Sequence, residues 1–431
     1  MFGRVGRSAE RRARRGTVAA VTAVSMVLII GTMAVALDGG ILMGERRRAQ
    51  SVADSAAFSA ACSISKNYSA MQTATGATLQ SYITAAESAA VQIANDNGYA
   101  NDGATSTVAV NIPPLSGHFT SANGYSNTSG YAEVLVAYNQ PRLFSAIWGA
   151  GTMTVTARAV ARGSLAPYSN TGVIVLDPSA SNALYLAGSA RVVVSNAGIQ
   201  VDSSSASAVN ANNTGYAQTT SPSSLSIVGG YATSSSGYIK GTVYTGGSSV
   251  ADPLASLPAV PAAGLASQGS IPGYGSFSIN PGVYNGGINF GGGARVTMNS
   301  GIYYMKGGPF NVGNGVSLAG DGVTIFLDTG ALTFQGGTRI SLTPGVAGAY
   351  AGVLIYQARG NTSAMNINNG SDTTMTGTLY APSAQINFAG GAKYTSSQII
   401  CNTLNISNGA DVEVLWNAGN VARRKNLTIV E

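Results

Sequence analysis

Six times between residues 288 and 409 the chain repeats a hexad with apolar residues at its first and third positions and glycine at its last. The copies are INFGGG at Ile288, FNVGNG at Phe310, LTFQGG at Leu332, MNINNG at Met365, INFAGG at Ile386 and LNISNG at Leu404. Successive copies start 22, 22, 33, 21 and 18 residues apart, and the long interval holds an insertion near residues 346–352. Two more short alternating segments lie between hexads, such as ARVTM and GIYYMKG. Three short strands in about twenty residues, with Gly or Asn at the corners, predict the coil of a β-solenoid. Alternation sends Ile, Val, Leu and Phe inward and leaves Thr, Ser and Asn in water. Glycine and Asn fill corners whose positive φ costs other residues. Looser relatives at Leu184, Leu225 and Phe277 extend the repeat region to 166–421. Residues 252–258 (DPLASLP) lack the pattern and predict a loop across the stack.

Only 9% of the residues are charged and 56 are glycine, but 45% are hydrophobic, enough apolar surface to fold. The net charge of +6 belongs wholly to residues 1–48, where nine Arg face Glu10, Asp38 and Glu45. The remainder is neutral, which argues against a nucleic-acid partner. His118, the single histidine, lies in a loop-like stretch, and Cys62 and Cys401 show no metal-ligand spacing. Solenoids include polysaccharide lyases, but of the eight acids in 166–421 only Asp411 and Glu413 lie within two positions of each other. Lyases need a calcium-binding carboxylate cluster beside a base, and glycosidases need paired carboxylates. The expectation is a protein that is not an enzyme, with no catalytic, cofactor-binding or metal-binding residues.

Gly16 to Leu37 contains no charge. As a helix it would span roughly 33 Å at ~1.5 Å per residue, enough for a hydrocarbon core. Arg11, Arg12, Arg14 and Arg15 precede it, and Arg46, Arg47 and Arg48 follow, partly offset by Glu45. This bias predicts a cytoplasmic tail over 1–15, a single span over 16–43 and the rest outside the cytoplasm. Two rivals stand beside this reading. Ala34-Val35-Ala36 could serve as a signal-peptidase site. Gly16 could precede a prepilin-type cleavage, although Val21 stands where that motif has Glu.

Beyond the span, Ala49, Ala53, Ala56, Ala57 and Ala60 make a low-volume helical stripe. It can pack on the chain's own domain or on another helix of the same kind. Residues 44–165 predict a helical stem and a small α+β, pilin-like domain. Its elements are a helix over 79–97, strands over 105–112, 132–139 and 153–162, and a short helix over 142–149, with Phe144 and Trp148 in the core. Residues 422–431 read as a tail. The expected fold is therefore mainly β: a transmembrane helix and a small α+β domain, then a β-solenoid.

The amino-terminal elements occur in a recognisable order: Arg14-Arg15-Gly16, an apolar helix leaving through Asp38, Arg46-Arg47-Arg48, and Ala53-Asp54-Ser55-Ala56-Ala57. This order resembles the TadG-like proteins of the Tad (Flp) pilus assembly system, most closely over 11–62 and more loosely through VTARAVAR (155–162). The DPLASLP segment is also similar to one in long members of that group. The resemblance implies a structural component, held in the bacterial cell membrane, that anchors or organises the pilus among pilin-like partners. The alternative is an anchored adhesin or matrix protein whose solenoid holds cell-surface polysaccharide through exposed Tyr and Asn.

Overall fold

A computed structural model describes the backbone of residues 7–431, except 221, 235, 369–372 and 392; side chains are described from residue 18 onward, apart from those of residues 147 and 148. The chain divides into two compact units, Met1–Ser164 with Lys425–Glu431, and Leu165–Arg424.

The first unit is built on α1 (Arg7–Thr73), one unbroken helix running from the apolar segment through the alanine stripe. It is the one described helix long and apolar enough to cross a membrane. Val18 to Met33 is exposed almost throughout, whereas Ala49, Ala53, Ala56, Ala57 and Ala60 are fully buried. Their partners are α2 (Gly76–Asp96), through Ile83, Ala86, Ala90 and Ala94, and one face of a four-stranded sheet. Of the two uses open to the stripe, packing within its own domain is the one it has. Contact is close enough that a Cβ on Gly163 would lie 1.9 Å from the Ala61 carbonyl oxygen, so only glycine fits where strand crosses helix.

The sheet order is β1 (Ser106–Asn111), β2 (Tyr131–Pro141), β3 (Thr152–Pro167) and β4 (Arg423–Ile429). The segment expected as a tail is thus a strand. It lies along the edge of β3 that β2 leaves free, and Leu427 packs against the helices. Backbone bonds join Val160 to Glu431 and Val430, both 2.8 Å, and Tyr168 to Ala422, 3.1 Å, so β3 and β4 run antiparallel. The expected 142–149 helix is only a 3-10 turn at Ser145–Trp148. Phe144, expected in the core, is half-exposed, and the Trp148 side chain lies outside the described residues.

The second unit is a β-solenoid of about 11 turns, and its described strand pairs are parallel. Hexad leaders stack in one column: Ile288, Phe310, Leu332, Met365, Ile386, Leu404, Leu184 and Val209. All are buried, and Gly315, which ends the second hexad, turns its corner at φ 73°. Leu184 therefore belongs to the hexad column. Leu225 and Phe277 instead stack with Ile199 and Val296, in the other two sheets.

The turns are not stacked in the order of the sequence. Strands Thr171–Val175 and Leu184–Leu186, the first of the unit, pair with Lys393–Ile406, nearly its last. The chain enters mid-stack, winds to one end at Thr242–Thr245, crosses to Ser276–Ile279 at the other, and winds back.

Alternation holds in two sheets and fails in the third. Val323–Leu327 and Val353–Gln357 are buried on both faces. Outward-facing Val283, Tyr304, Phe326, Tyr356, Tyr380, Ile400 and Ile174 form a column, covered by Leu254, Leu257 and Val260 from the crossing segment.

Asp in place of Ile288, Phe310 or Leu332 buries an unpaired charge and should cost several kcal/mol. The same change at Asn289, Asn311 or Thr333, which face outward, should cost far less. Thermal melts of residues 165–424 read the difference; equal destabilisation would contradict the register.

Candidate functional site

The predicted anchor residues fall in different settings. The side chains of Arg11, Arg12, Arg14 and Arg15 lie outside the described residues. Arg46, Arg47 and Arg48 are exposed. Arg48 also closes the carboxyl end of α2: it donates to the Asn97 carbonyl at 3.0 Å, stands 3.8 Å from Glu45 and lies 5.7 Å over the Tyr99 ring. A cation there satisfies orphan carbonyls and complements the helix dipole. Asp38 is buried and caps the 3-10 turn, accepting from the backbone N–H groups of Phe144 (3.1 Å) and Ser145 (2.8 Å).

Sequence reasoning missed the polar centre of the first unit. Glu133 is fully buried in β2 and accepts from Arg158 Nε (2.6 Å), Ser116 Oγ (2.6 Å), Asn111 Nδ2 (2.9 Å) and the Leu115 N–H (3.0 Å). Arg158 reaches on to Glu431 at 2.6 Å, and Glu431 also accepts from the His118 N–H at 3.1 Å. Burial pushes the Glu133 carboxyl up, but its four donors outweigh that and hold it below its ordinary value. Arg158 does the same for Glu431. No local motif announces this site, because its members are scattered from Asn111 to Glu431. The four donors occupy both oxygens of Glu133 and tie β2 to β3 and to the 111–116 segment.

On the solenoid, the crossing segment is fastened by polar bonds as well as apolar cover. Tyr380 donates to Asp252 at 2.6 Å, and Arg359 donates to the carbonyls of Leu254 and Leu257 while lying over the rings of Tyr356 and Tyr380. Tyr356 adds a bond to Leu257 at 3.3 Å. The hexad sheet presents an amide ladder, with Asn311 bonded to Asn289 (2.6 Å), Asn387 to Asn366 (2.9 Å) and Asn405 to Asn387 (3.2 Å). In the remaining sheet Arg295, Ser317 and Arg339 stand on successive turns over glycine corners, bordering a recess of about 560 Å³. Among the described residues no three His, Cys, Asp or Glu gather as a metal site would require. Cys62 and Cys401 are free thiols, and burial raises the latter's pKa.

These features describe a protein with one long, half-exposed apolar helix, a small α+β domain around its covered half, and a β-solenoid. Residues 16–63 match the family described as putative Flp pilus-assembly TadE/G-like, and that segment points to a role in Flp pilus assembly. It spans the apolar half of α1, Asp38, the arginine cluster and the alanine stripe. No curated protein and no solved structure matches the chain.

The lowered carboxyls give a signed pH dependence. Their stabilising contribution is complete above the ordinary carboxylate value, about 4.3 for Glu, and is lost as pH falls through the lowered folded-state values. Glu133→Gln should melt earlier than the natural protein at neutral pH, and its melting temperature should fall less on acidification. Parallel profiles would contradict the assignment.

Proposed function

We propose that this chain is a structural component of Flp pilus assembly, held in the cell envelope by α1 and acting without catalysis. The observation that carries the reading is the coincidence of the TadE/G-like match with the exposed half of α1: the run of exposed apolar side chains from Val18 to Leu37 lies inside the matched segment. In this reading Gly16–Leu37 spans the membrane with Arg11, Arg12, Arg14 and Arg15 on the cytoplasmic side. The small domain and the solenoid lie outside the cytoplasm, where they anchor or organise the pilus among pilin-like partners.

The recess at Arg295 and Arg339 favours a second reading, in which the solenoid holds an acidic polysaccharide. The two guanidiniums sit two turns apart, about 10 Å at ~4.8 Å per turn. That is a spacing suited to the repeated charges of an extended polymer, and neither guanidinium is in an ion pair among the described residues.

One genetic experiment separates the two readings. Cells lacking the chain should lose surface pili, and the natural gene should restore them, with the protein in the detergent-requiring membrane fraction. Normal piliation without the chain would overturn the assembly role. If such cells instead lost retention of an acidic polysaccharide, and a gene carrying Arg295→Ala and Arg339→Ala failed to restore it, the second reading would stand.

A further inference from the structure

We propose that the loop joining β2 to β3 makes a second membrane contact through Leu143 and Phe144, seated at the lipid interface beside α1 with these two side chains entering the bilayer. The inference rests on α1 being the membrane anchor.

Asp38 is the first charge after the uncharged run and marks where α1 leaves the hydrocarbon. The loop is fastened at that level: the backbone N–H groups of Phe144 and Ser145 and the Ser145 hydroxyl all donate to the Asp38 carboxylate. Cover on the same helix face continues back into the run, for Ala34 is buried and Gly31 half-buried. Ala34 lies about 6 Å along the helix from Asp38 on the membrane side. The far end of α2 is held at Arg48 by the bond to Asn97, well outside this level, whereas the 3-10 turn packs directly on α1. The loop therefore reaches down the helix beside residues that face lipid.

What the loop presents there is apolar. Leu143 is 56% exposed and Phe144 51% exposed, two adjacent large apolar side chains at the tip of a strand connection. On the membrane side of Asp38, α1 itself borders an apolar recess of about 620 Å³ lined by Val27, Leu28, Gly31, Thr32, Val35 and Ala36. The carboxylate of Asp38 supplies the N–H groups of Phe144 and Ser145 with an acceptor, lowering the cost of carrying that part of the backbone into a medium poor in water. Aromatic and aliphatic side chains at this depth are the ordinary anchors of interfacial segments. A lipid surface is favoured over a protein partner because the loop's level is set by its bond to the end of the span. A single helix leaves its domain free to tilt and rotate, and a second contact off the helix axis would limit both motions.

Site-specific photo-crosslinking in the full-length protein tests this. A benzophenone amino acid is placed singly at Val27, Leu143, Phe144 and Phe58, and the membranes carry a taggable phosphatidylethanolamine. Phe58 is exposed on α1 some 20 residues beyond Asp38, roughly 30 Å along the helix. Lipid adducts at Leu143 and Phe144 of the same order as at Val27, with background at Phe58, are the expected result. Adducts at Val27 but background at both loop positions would overturn the loop contact and leave the anchor intact. Background at Val27 as well would overturn the anchor, and the inference with it. Equal labelling at all four positions would also contradict the proposal, since it would report no preferred depth. Two loop positions, probed in separate proteins, guard against one substitution disturbing the fold.

Discussion

The antiparallel pairing of β3 with β4 is the constraint on which the rest of the second unit depends. Because Val160 is bonded to Glu431 and Tyr168 to Ala422, a unit of some 260 residues begins and ends at neighbouring points of one antiparallel strand pair. A solenoid wound steadily from first turn to last would leave those points at opposite ends of its stack, on the order of 50 Å apart. The chain resolves the conflict by starting in the middle. Thr171–Val175 lies against Lys393–Ile406, so the first and last turns are neighbours, and the discontinuity moves to residues 246–275. That crossing segment has ample reach, up to about 100 Å if extended. It must still be held down, or its ordering entropy would go uncompensated. The outward aromatic column provides the hold, with Arg359 and Tyr380 fixing its backbone and Asp252. The mid-stack junction is itself knit by buried polar bonds: Thr378 accepts from the Ala422 N–H and donates to Gln398, which donates to the Thr171 carbonyl.

Much of this was legible in the sequence, for physical reasons. Period-two alternation and glycine corners are local, so Ile288, Phe310 and Leu332 could be placed inward from their spacing alone. The apolar half of α1 and the alanine stripe were legible in the same way. The order of turns was not, because every turn of a solenoid offers nearly the same ladder to its neighbours, and no local signal says which two meet. The doubly buried sheet did carry a signal. GVTIFLD and GVLIYQ hold apolar runs of three or more residues, Ile325–Leu327 and Val353–Tyr356, the mark of a strand covered on both faces, where neighbouring segments alternate. Read beside the unpatterned DPLASLP, they announce a cover. The last strand was missed because RRKNLTI is polar over most of its length. Its place comes from the free edge of β3 and from Glu431 meeting Arg158, both set by residues far away in sequence.

The topology separates the roles of the two units. The segment that matches the pilus-assembly family and the residues that complete its sheet form one unit, with the solenoid interposed between its third and fourth strands. A solenoid is well suited to such a position. Its turns can be added or removed within each arm without disturbing the neighbouring pair at which the chain enters and leaves. The amide ladder, the arginine recess and the covered aromatic column give its three outer faces different chemistries on one repeating backbone.

The claim that the solenoid is an insertion within an otherwise complete small domain is tested most directly by removing it. A chain in which Pro167 is joined to Arg423 through a short glycine-serine turn keeps α1, α2 and all four strands, together with Glu133, Arg158 and Glu431. Thermal unfolding in detergent, followed by circular dichroism, is the measurement. The account predicts one cooperative transition from a mixed helix-and-sheet spectrum. A gradual, non-cooperative loss of signal would contradict it, because the small domain would then depend on the solenoid for its fold.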